Sequence, residues 1–120
     1  MKIQESAENY LETILVLSQR KEFVRSIDIA NELSFSKPSI SVFMKNLKAN
    51  GYIKMDSNGH ITLTESGLKI AKRVYEKHMF IKEFLLSLGV DEIIASEDAC
   101  RIEHVISDDT FDALKKYFTK

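Results

Sequence analysis

Residues 26–63 read SIDIANELSFSKPSISVFMKNLKANGYIKMDSNGHITL, and they contain the most informative pattern of helix, turn and strand residues in the chain. Apolar residues recur at helical spacing in two short segments that a Ser-Phe-Ser turn separates. We expect Ser26 to cap the first helix, residues 27–33. We expect Ser36 to cap the second, which has Pro38 in its first turn, where proline favours helix initiation. Two helices joined by such a turn predict a helix-turn-helix.

A β-hairpin is predicted directly after the second helix. Gly51 is expected to end that helix. Residues 52–55 and 60–63 are then short strands around Asn58-Gly59, a dipeptide typical of hairpin turns. Helix, turn, helix and hairpin in this order indicate a winged helix-turn-helix, with residues 37–50 as the recognition helix.

The flanking sequence is predicted to be helical. A helix over about residues 5–19 precedes the motif, and Thr64 caps a long helix over about residues 65–88 that Gly89 ends. A further helical region, broken near Ser96, is followed by a short last helix capped by Ser107. The fold class is therefore mostly α: an N-terminal winged helix-turn-helix with a small β-hairpin wing, then an all-helical dimerisation domain. The expected domains are residues 1–63 and 64–120.

Composition excludes several classes of protein. The 120 residues are 44% hydrophobic and 29% charged, as in ordinary globular proteins, and no apolar run is long enough to span a membrane. The N-terminus has no apolar signal segment, and a single cysteine fits a reducing cytoplasm. A net charge of −1 argues against a nonspecific nucleic-acid coat but permits a local basic face.

One short segment carries metal-binding chemistry. Cys100, Glu103 and His104 stand at helical spacing i, i+3 and i+4, so their side chains share one helix face. A thiolate, a carboxylate and an imidazole are common ligands of divalent transition metals. The competing interpretation is a half-buried cysteine beside a surface Glu-His pair.

The chain resembles the diphtheria toxin repressor family of metal-dependent regulators, which includes the manganese transport regulators. The resemblance covers nearly the whole chain, in family order and spacing. It implies a winged helix, a helical dimerisation domain and metal-activated repression. The segments that carry it are Glu8 to Ile14, Asp28 to Ala30, Ser36 to Ser41, Leu63 to Gly67, the helix around His78, and Ala99 to Ser107.

The resemblance also implies further metal ligands, and the chain departs from the family at several points. Asn9, Glu12 and His78 stand at family ligand positions, beside Cys100, Glu103 and His104. Family members carry a methionine or an aspartate where this chain has Asn9, which is a neutral donor. Lys82 stands where a carboxylate of an ancillary site is usual, and the C-terminal SH3-like domain of longer members is expected to be absent.

The predicted mechanism is a metal clamp. Asn9 and Glu12 belong to the DNA-binding half, and the remaining ligands belong to the dimerisation half, so a shared metal would fix the relative orientation of the two halves. The Cys100 thiolate favours Fe(II), Zn(II), Co(II) or Ni(II), while the glutamate and histidine ligands also suit Mn(II). We expect Fe(II) as the cofactor and Mn(II) next, with Zn(II), Co(II) or Ni(II) binding in vitro.

The expected partners are an operator in double-stranded DNA and a second copy of the chain, with neither a membrane nor a small-molecule substrate. A face of Ser and Lys residues at the start of the recognition helix can contact phosphates and base edges, and basic or polar residues beside it can contact phosphates. The predicted DNA-contacting residues are Arg25, Ser36, Lys37, Pro38, Ser39, Ser41, Val42, Lys45, Lys48 and Asn58.

Two further features of the sequence, and the function itself, have alternative interpretations. His60, at the end of the wing, is interpreted as a surface residue. An apolar stripe is either helical core or a dimer seam. A metal-independent winged-helix regulator is the first alternative function, and a metallohydrolase a distant second. The stripe comprises Phe80, Ile81, Phe84, Leu85, Leu88, Ile93, Ile94, Phe111, Leu114 and Phe118.

Overall fold

The computed structural model describes residues 5–118, so the expectation for the N-terminal residues 1–4 lies outside the described part of the chain. Helices dominate the described range, and one antiparallel pair of strands accompanies them, which confirms the predicted mostly helical fold with a small hairpin. The elements are α1 Glu5–Arg20, α2 Ser26–Leu33, α3 Lys37–Ala49, β1 Ile53–Met55, β2 Ile61–Leu63, α4 Glu65–Ser87, α5 Glu92–Val105 and α6 Asp108–Phe118.

The chain forms two compact units, one up to Lys72 and one from Arg73, so α4 contributes to both. The division into domains at residues 63 and 64 stays a prediction. Within residues 5–118, no helix is both long and apolar enough to cross a membrane.

The recognition helix α3 divides into a buried face and an exposed face. Ile40, Met44 and Leu47 recur at i, i+4 and i+7, and all three are buried. In the same unit α2 contacts both α1 and α3, while β2 contacts α1 and β1 contacts α3. The apolar period of α3 therefore determines which of its side chains remain available to a partner.

The starts of α2 and α3 test the predicted caps. Ser36 caps α3 as predicted, since its hydroxyl oxygen accepts the backbone N–H of Ser39 at 3.3 Å. The prediction for Ser26 was wrong, because Ser26 already lies inside α2 and Arg25 is the N-cap residue. The carboxylate of Asp28 accepts the backbone N–H of Arg25 at 2.9 Å, so the first turn of α2 is closed by a side chain from within the helix.

The wing is a two-stranded hairpin with a third segment beside it. β1 and β2 pair so that Lys54 faces Thr62, and Gly59 turns the chain with a φ of 78°. Beyond this pair, the backbone N–H of Ile61 donates to the carbonyl of Val24 at 2.7 Å. The segment before α2 is thereby attached to the wing.

The second unit holds α5 and α6 against the C-terminal part of α4. Ala95 and Ala99, one helical turn apart, are buried on α5, and Phe111 is buried on α6. The ring of Phe80 meets Phe111 edge to face at 5.5 Å between centroids. The break expected near Ser96 is wrong, because α5 runs without interruption from Glu92 to Val105.

Ion pairs connect α4 with α6 in this unit. The guanidinium of Arg73 lies 3.2 Å from Asp108 and 2.6 Å from Asp112, and Lys77 lies 2.9 Å from Asp108. The hydrogen bond from Lys77 is the main reason why the pKa of Asp108 lies below its ordinary value, and Arg73 lowers it further. Because the ionised form is favoured by folding, the pairs stabilise the folded unit only while Asp108 is charged.

Stability is therefore expected to decrease in acid. The pKa of this carboxyl group is lower in the folded protein than in the unfolded chain. Such a group stabilises the folded state at any pH above its pKa in the unfolded chain, and this stabilisation is lost as the pH falls through its pKa in the folded protein. The free energy of unfolding of metal-free protein should fall below about pH 4, by well under about 1 kcal/mol for exposed Asp108. Urea denaturation across this range should show a shallower fall for Asp108→Asn. An identical pH dependence in the variant would contradict the assignment.

Candidate metal centre

Helix α5 brings three potential metal ligands together. Cys100, Glu103 and His104 lie at i, i+3 and i+4, and one donor atom from each lies within 4.8 Å of the other two. Glu103 is buried, and Cys100 and His104 are half-buried. The predicted common face of this helix is therefore present in the structure.

His78, on α4, adds a second imidazole to this face. Its Nδ1 lies 2.8 Å from Oε2 of Glu103, whose side chain is 0% exposed. On the other side of the carboxylate, Nε2 of His104 lies 3.3 Å from Oε1. Glu103 thus lies between two imidazole rings, although 25 residues of sequence separate it from His78.

The burial of Glu103 tests whether these residues fit a metal. Its Oε1 is buried and accepts no hydrogen bond within the described residues, because the nearby Nε2 of His104 meets the distance of an ion pair but not the geometry of a hydrogen bond. A buried carboxylate oxygen in this state is unfavourable unless a cation compensates it. With a thiol and two imidazoles beside it, the donor set fits a divalent transition metal.

Asn9 and Glu12 lie on α1 in the other unit. They are three residues apart on one face of the helix and both are half-buried. The hydroxyl of Thr13 donates to the backbone carbonyl of Asn9 at 2.8 Å, which leaves the Asn9 side-chain amide out of that bond. Their membership of the ligand set remains a prediction from the resemblance.

A buried lysine next to His78 was not predicted. Lys77 is 7% exposed, and its ammonium group donates to the backbone carbonyl of Ile106 at 3.2 Å. Ile106 is the C-cap of α5, two residues after His104, so this bond attaches the ligand-bearing end of α5 to α4. The spacing of apolar residues could have predicted this burial, because Lys77 follows the buried Val74 by three residues and precedes the buried Ile81 by four, on the apolar face of α4.

Lys82 is the residue at which the chain departs from the family pattern. Its ammonium nitrogen lies 3.9 Å from Oε1 of Glu92, at the start of α5. A lysine is a cation rather than a metal ligand at neutral pH. The side chain therefore offers an ion pair at this position, not a ligand.

The predicted DNA-contacting side chains are accessible. In contrast to Ile40, Met44 and Leu47, the outer face of α3 exposes an apolar side chain, Val42, at 57%. Ser36 is also engaged within the chain, since its hydroxyl donates to the hydroxyl of Ser39 at 2.9 Å. The predicted residues that are exposed are Arg25, Ser36, Lys37, Pro38, Ser39, Ser41, Val42, Lys45, Lys48 and Asn58.

The apolar stripe of the second unit divides between core and surface. Ile81 and Phe111 are buried, as a core requires. Large apolar side chains elsewhere in this unit are exposed, including Ile93 at 69% and Leu88 at 64%. These exposed apolar residues are candidates for an association surface.

Comparison with known proteins identifies similar chains. Residues 2–61 match the model of the iron-dependent repressor N-terminal DNA-binding domain. Residues 64–120 match the model of the iron-dependent repressor metal-binding and dimerisation domain. The two matches together cover nearly all of the chain.

Individual relatives agree with these matches. An uncharacterised HTH-type transcriptional regulator of Methanocaldococcus jannaschii is 36% identical over 98% of this chain and 96% of the relative. The transcriptional regulator MntR of Escherichia coli O157:H7 is 34% identical over 98% of this chain and 76% of the relative. The solved structure of the manganese regulator SloR is 31% identical with a TM-score of 0.83; the match covers 99% of this chain but only 55% of SloR.

Proposed function

Because the chain belongs to the iron-dependent repressor family of metal-dependent transcriptional regulators, we propose that it is a repressor whose DNA-binding form requires a bound divalent transition metal. Its relatives are transcriptional regulators, and the chain is a regulator rather than an enzyme. The observation that carries the proposal is the buried Glu103 carboxylate, which lies among two imidazoles and a thiol and has one oxygen that accepts no hydrogen bond from the described residues.

The proposed ligand set combines both halves of the chain. His78, Cys100, Glu103 and His104 hold the metal in the helical half, and Glu12 with the Asn9 amide oxygen complete it from α1. The bound cation supplies positive charge that compensates the carboxylates and gives both halves a common point of attachment. Glu12 and Asn9 then hold the winged helix in one orientation, in which two copies can place their recognition helices on one operator.

The free energy of metal binding is sufficient for such a switch between two orientations. Shifting a two-state equilibrium from mostly inactive to mostly active requires about 5.5 kcal/mol of differential binding. Structural zinc sites provide on the order of 10 kcal/mol. A single site that favours one orientation can therefore determine whether the protein binds its operator.

The metal proposed first is Fe(II), and Mn(II) is proposed second. The Cys100 thiolate is a soft ligand, which favours Fe(II), Zn(II), Co(II) or Ni(II) over Mn(II). The relatives named manganese regulators support Mn(II). Since carboxylate and imidazole ligands also suit Mn(II), free metal concentration in the proposed cytoplasmic location contributes to the choice.

DNA recognition is proposed to use the exposed face of α3 and the wing. Lys37, Lys45 and Arg25 supply cations for phosphates, and Val42 supplies an apolar contact for a thymine methyl group. Few of the side chains there can make bidentate contacts to bases. Sequence-dependent DNA shape is therefore expected to contribute to specificity.

The proposed dimer uses the exposed apolar residues of the second unit. Leu88, Ile93 and Ile94 are the best candidates, since all three are more than half exposed in the single chain. A closed two-fold dimer would bury them and would match a palindromic operator.

Replacing Glu12 by alanine tests the clamp. We expect Glu12→Ala to lower operator affinity in the presence of metal by at least about 10-fold, because an attachment between the two halves is lost. Fluorescence anisotropy of labelled DNA from upstream of this protein's own gene measures it, with chelated protein and with anoxic Fe(II), Mn(II) and Zn(II) at matched free concentrations.

A matched control is Glu32→Ala, which removes the same charge from the exposed surface of α2 in the same unit. It should retain metal-dependent binding. Unchanged binding by Glu12→Ala would overturn the clamp. Equal binding by wild-type protein with and without metal would instead favour the metal-independent regulator.

A further inference from the structure

His60, which the sequence suggested to be a surface residue, is enclosed by side chains of its own unit. Its side chain is 15% exposed. The imidazole stacks on the ring of Phe23, with 4.1 Å between centroids and 12° between planes. Its two ring nitrogens face Asp56 and Arg25.

The partners of the two nitrogens determine the protonation of the ring. Nδ1 of His60 lies 3.2 Å from Oδ2 of Asp56, within the distance of an ion pair, and a proton on Nδ1 makes this contact with the carboxylate favourable. Nε2 lies 3.2 Å from Nη2 of Arg25, and a guanidinium can only donate, so Nε2 must be unprotonated. The arrangement therefore requires a neutral imidazole in the Nδ1–H form.

Asp56 is itself held in place by the wing. Its Oδ1 accepts the backbone N–H of Asn58 at 2.8 Å and that of His60 at 2.9 Å. These bonds, with the one from His60 first, lower the pKa of Asp56 and keep it ionised. The carboxylate is thus fixed at the tip of the wing, with its second oxygen directed at the imidazole.

The backbone of Arg25 is anchored independently of its side chain. Its N–H donates to Asp28, and the preceding carbonyl, of Val24, accepts the N–H of Ile61. The exposed guanidinium, in contrast, is held by the imidazole of His60. Only one of its five N–H donors is needed for that bond, which leaves enough for a phosphate.

We infer that His60 is a positioning residue for DNA binding, which transmits the fixed orientation of Asp56 through its neutral imidazole to the Arg25 guanidinium and so presents Arg25 to a backbone phosphate. This inference rests on the proposed role of Arg25. The contacts of His60 connect the wing tip to the segment before α2, two parts of the chain that are proposed to contact the same duplex. A protonated imidazole cannot accept from Arg25, so the device works only in the neutral form.

A double-mutant cycle tests the inference, with binding to a mixed-sequence DNA duplex at several salt concentrations. His60→Phe keeps a ring for the stack on Phe23 but removes both nitrogens. We expect it to weaken binding by about 3- to 10-fold and Arg25→Gln by at least as much. The salt slope should fall by about 0.9 in Arg25→Gln. The double variant should bind no more weakly than Arg25→Gln alone.

The control is Lys54→Gln, which removes one cation from β1 of the same wing. Its effect should add to that of His60→Phe. If His60→Phe binds DNA as tightly as the wild-type protein while Arg25→Gln binds more weakly, the inference is overturned and the phosphate role of Arg25 remains intact. If Arg25→Gln loses no DNA affinity, both that role and the inference are overturned. If the losses of affinity at Arg25 and His60 are additive, the inference alone is overturned.

A spectroscopic measurement keeps the inference testable if His60→Phe does not fold. Nitrogen-15 NMR of wild-type protein near neutral pH should show Nδ1 of His60 protonated and Nε2 unprotonated. Asp56→Asn should shift the ring towards the Nε2–H form and weaken DNA binding. An Nε2–H or doubly protonated ring in wild-type protein would overturn the inference.

Discussion

Replacing Glu103 by glutamine is expected to lower metal affinity by about 100-fold or more, because loss of residues that merely support a ligand already costs 10- to 100-fold. Glutamine keeps the size of the side chain but removes its negative charge and one anionic donor. Removing a buried charge offsets the lost contact with His78, so the metal-free protein should remain folded. Metal-dependent DNA binding should disappear with the metal.

The metal affinity can be measured with cobalt. Co(II) bound to the Cys100 thiolate gives a charge-transfer absorption band, and competition with a chelating dye gives the affinity. Glu97→Gln is the matched control, because it makes the same change of charge at an exposed position of α5. Wild-type Co(II) affinity in Glu103→Gln would show that the metal binds elsewhere. Thermal unfolding of both variants without metal checks that their folds are intact.

Replacing Gly67 by alanine should destabilise the protein strongly, although alanine normally stabilises a helix relative to glycine by about 1 kcal/mol. Gly67 lies in the first turn of α4, and a Cβ there would collide with the backbone carbonyl oxygen of Tyr52. That oxygen cannot move easily, because it accepts the backbone N–H of Thr64 at 3.0 Å. We expect a loss of about 3 kcal/mol in the free energy of unfolding.

Urea denaturation of the metal-free protein measures this loss. Ser66→Ala is the control, since Ser66 is the exposed neighbour of Gly67 in the same helical turn, and it should change stability by less than about 0.5 kcal/mol. A stabilised Gly67→Ala would mean that α4 can withdraw from Tyr52. The glycine in the Leu63 to Gly67 segment therefore has a physical reason: α4 passes too close to the chain before the wing for any side chain.

Predictions from local sequence were most successful where the interactions that stabilise a feature join residues close together in the chain. Ser36 and Thr64 cap helices as predicted, because a hydroxyl reaches the free N–H groups of the next turn without help from elsewhere. Arg25 displaced Ser26 as the N-cap of α2 because Asp28 closes the turn from inside, and the nearby Lys21 ammonium fixes that carboxylate. The expected break at Ser96 failed because Ala95 and Ala99 bury a continuous face of α5.

The amino-acid sequence was sufficient to predict which residues share a helix face. Helical spacing alone places Cys100, Glu103 and His104 together, and it separates Ile40 and its buried neighbours from the exposed face of α3. This information is local, since 3.6 residues per turn hold wherever the helix forms.

Contacts between side chains that are distant in sequence became known from the three-dimensional packing. The contact of His78 with Glu103, the burial of Lys77, the approach of Gly67 to Tyr52 and the enclosure of His60 all join segments far apart in sequence. These contacts depend on how whole elements pack, and the burial of each charge is decided by the sum of that packing rather than by its sequence neighbours.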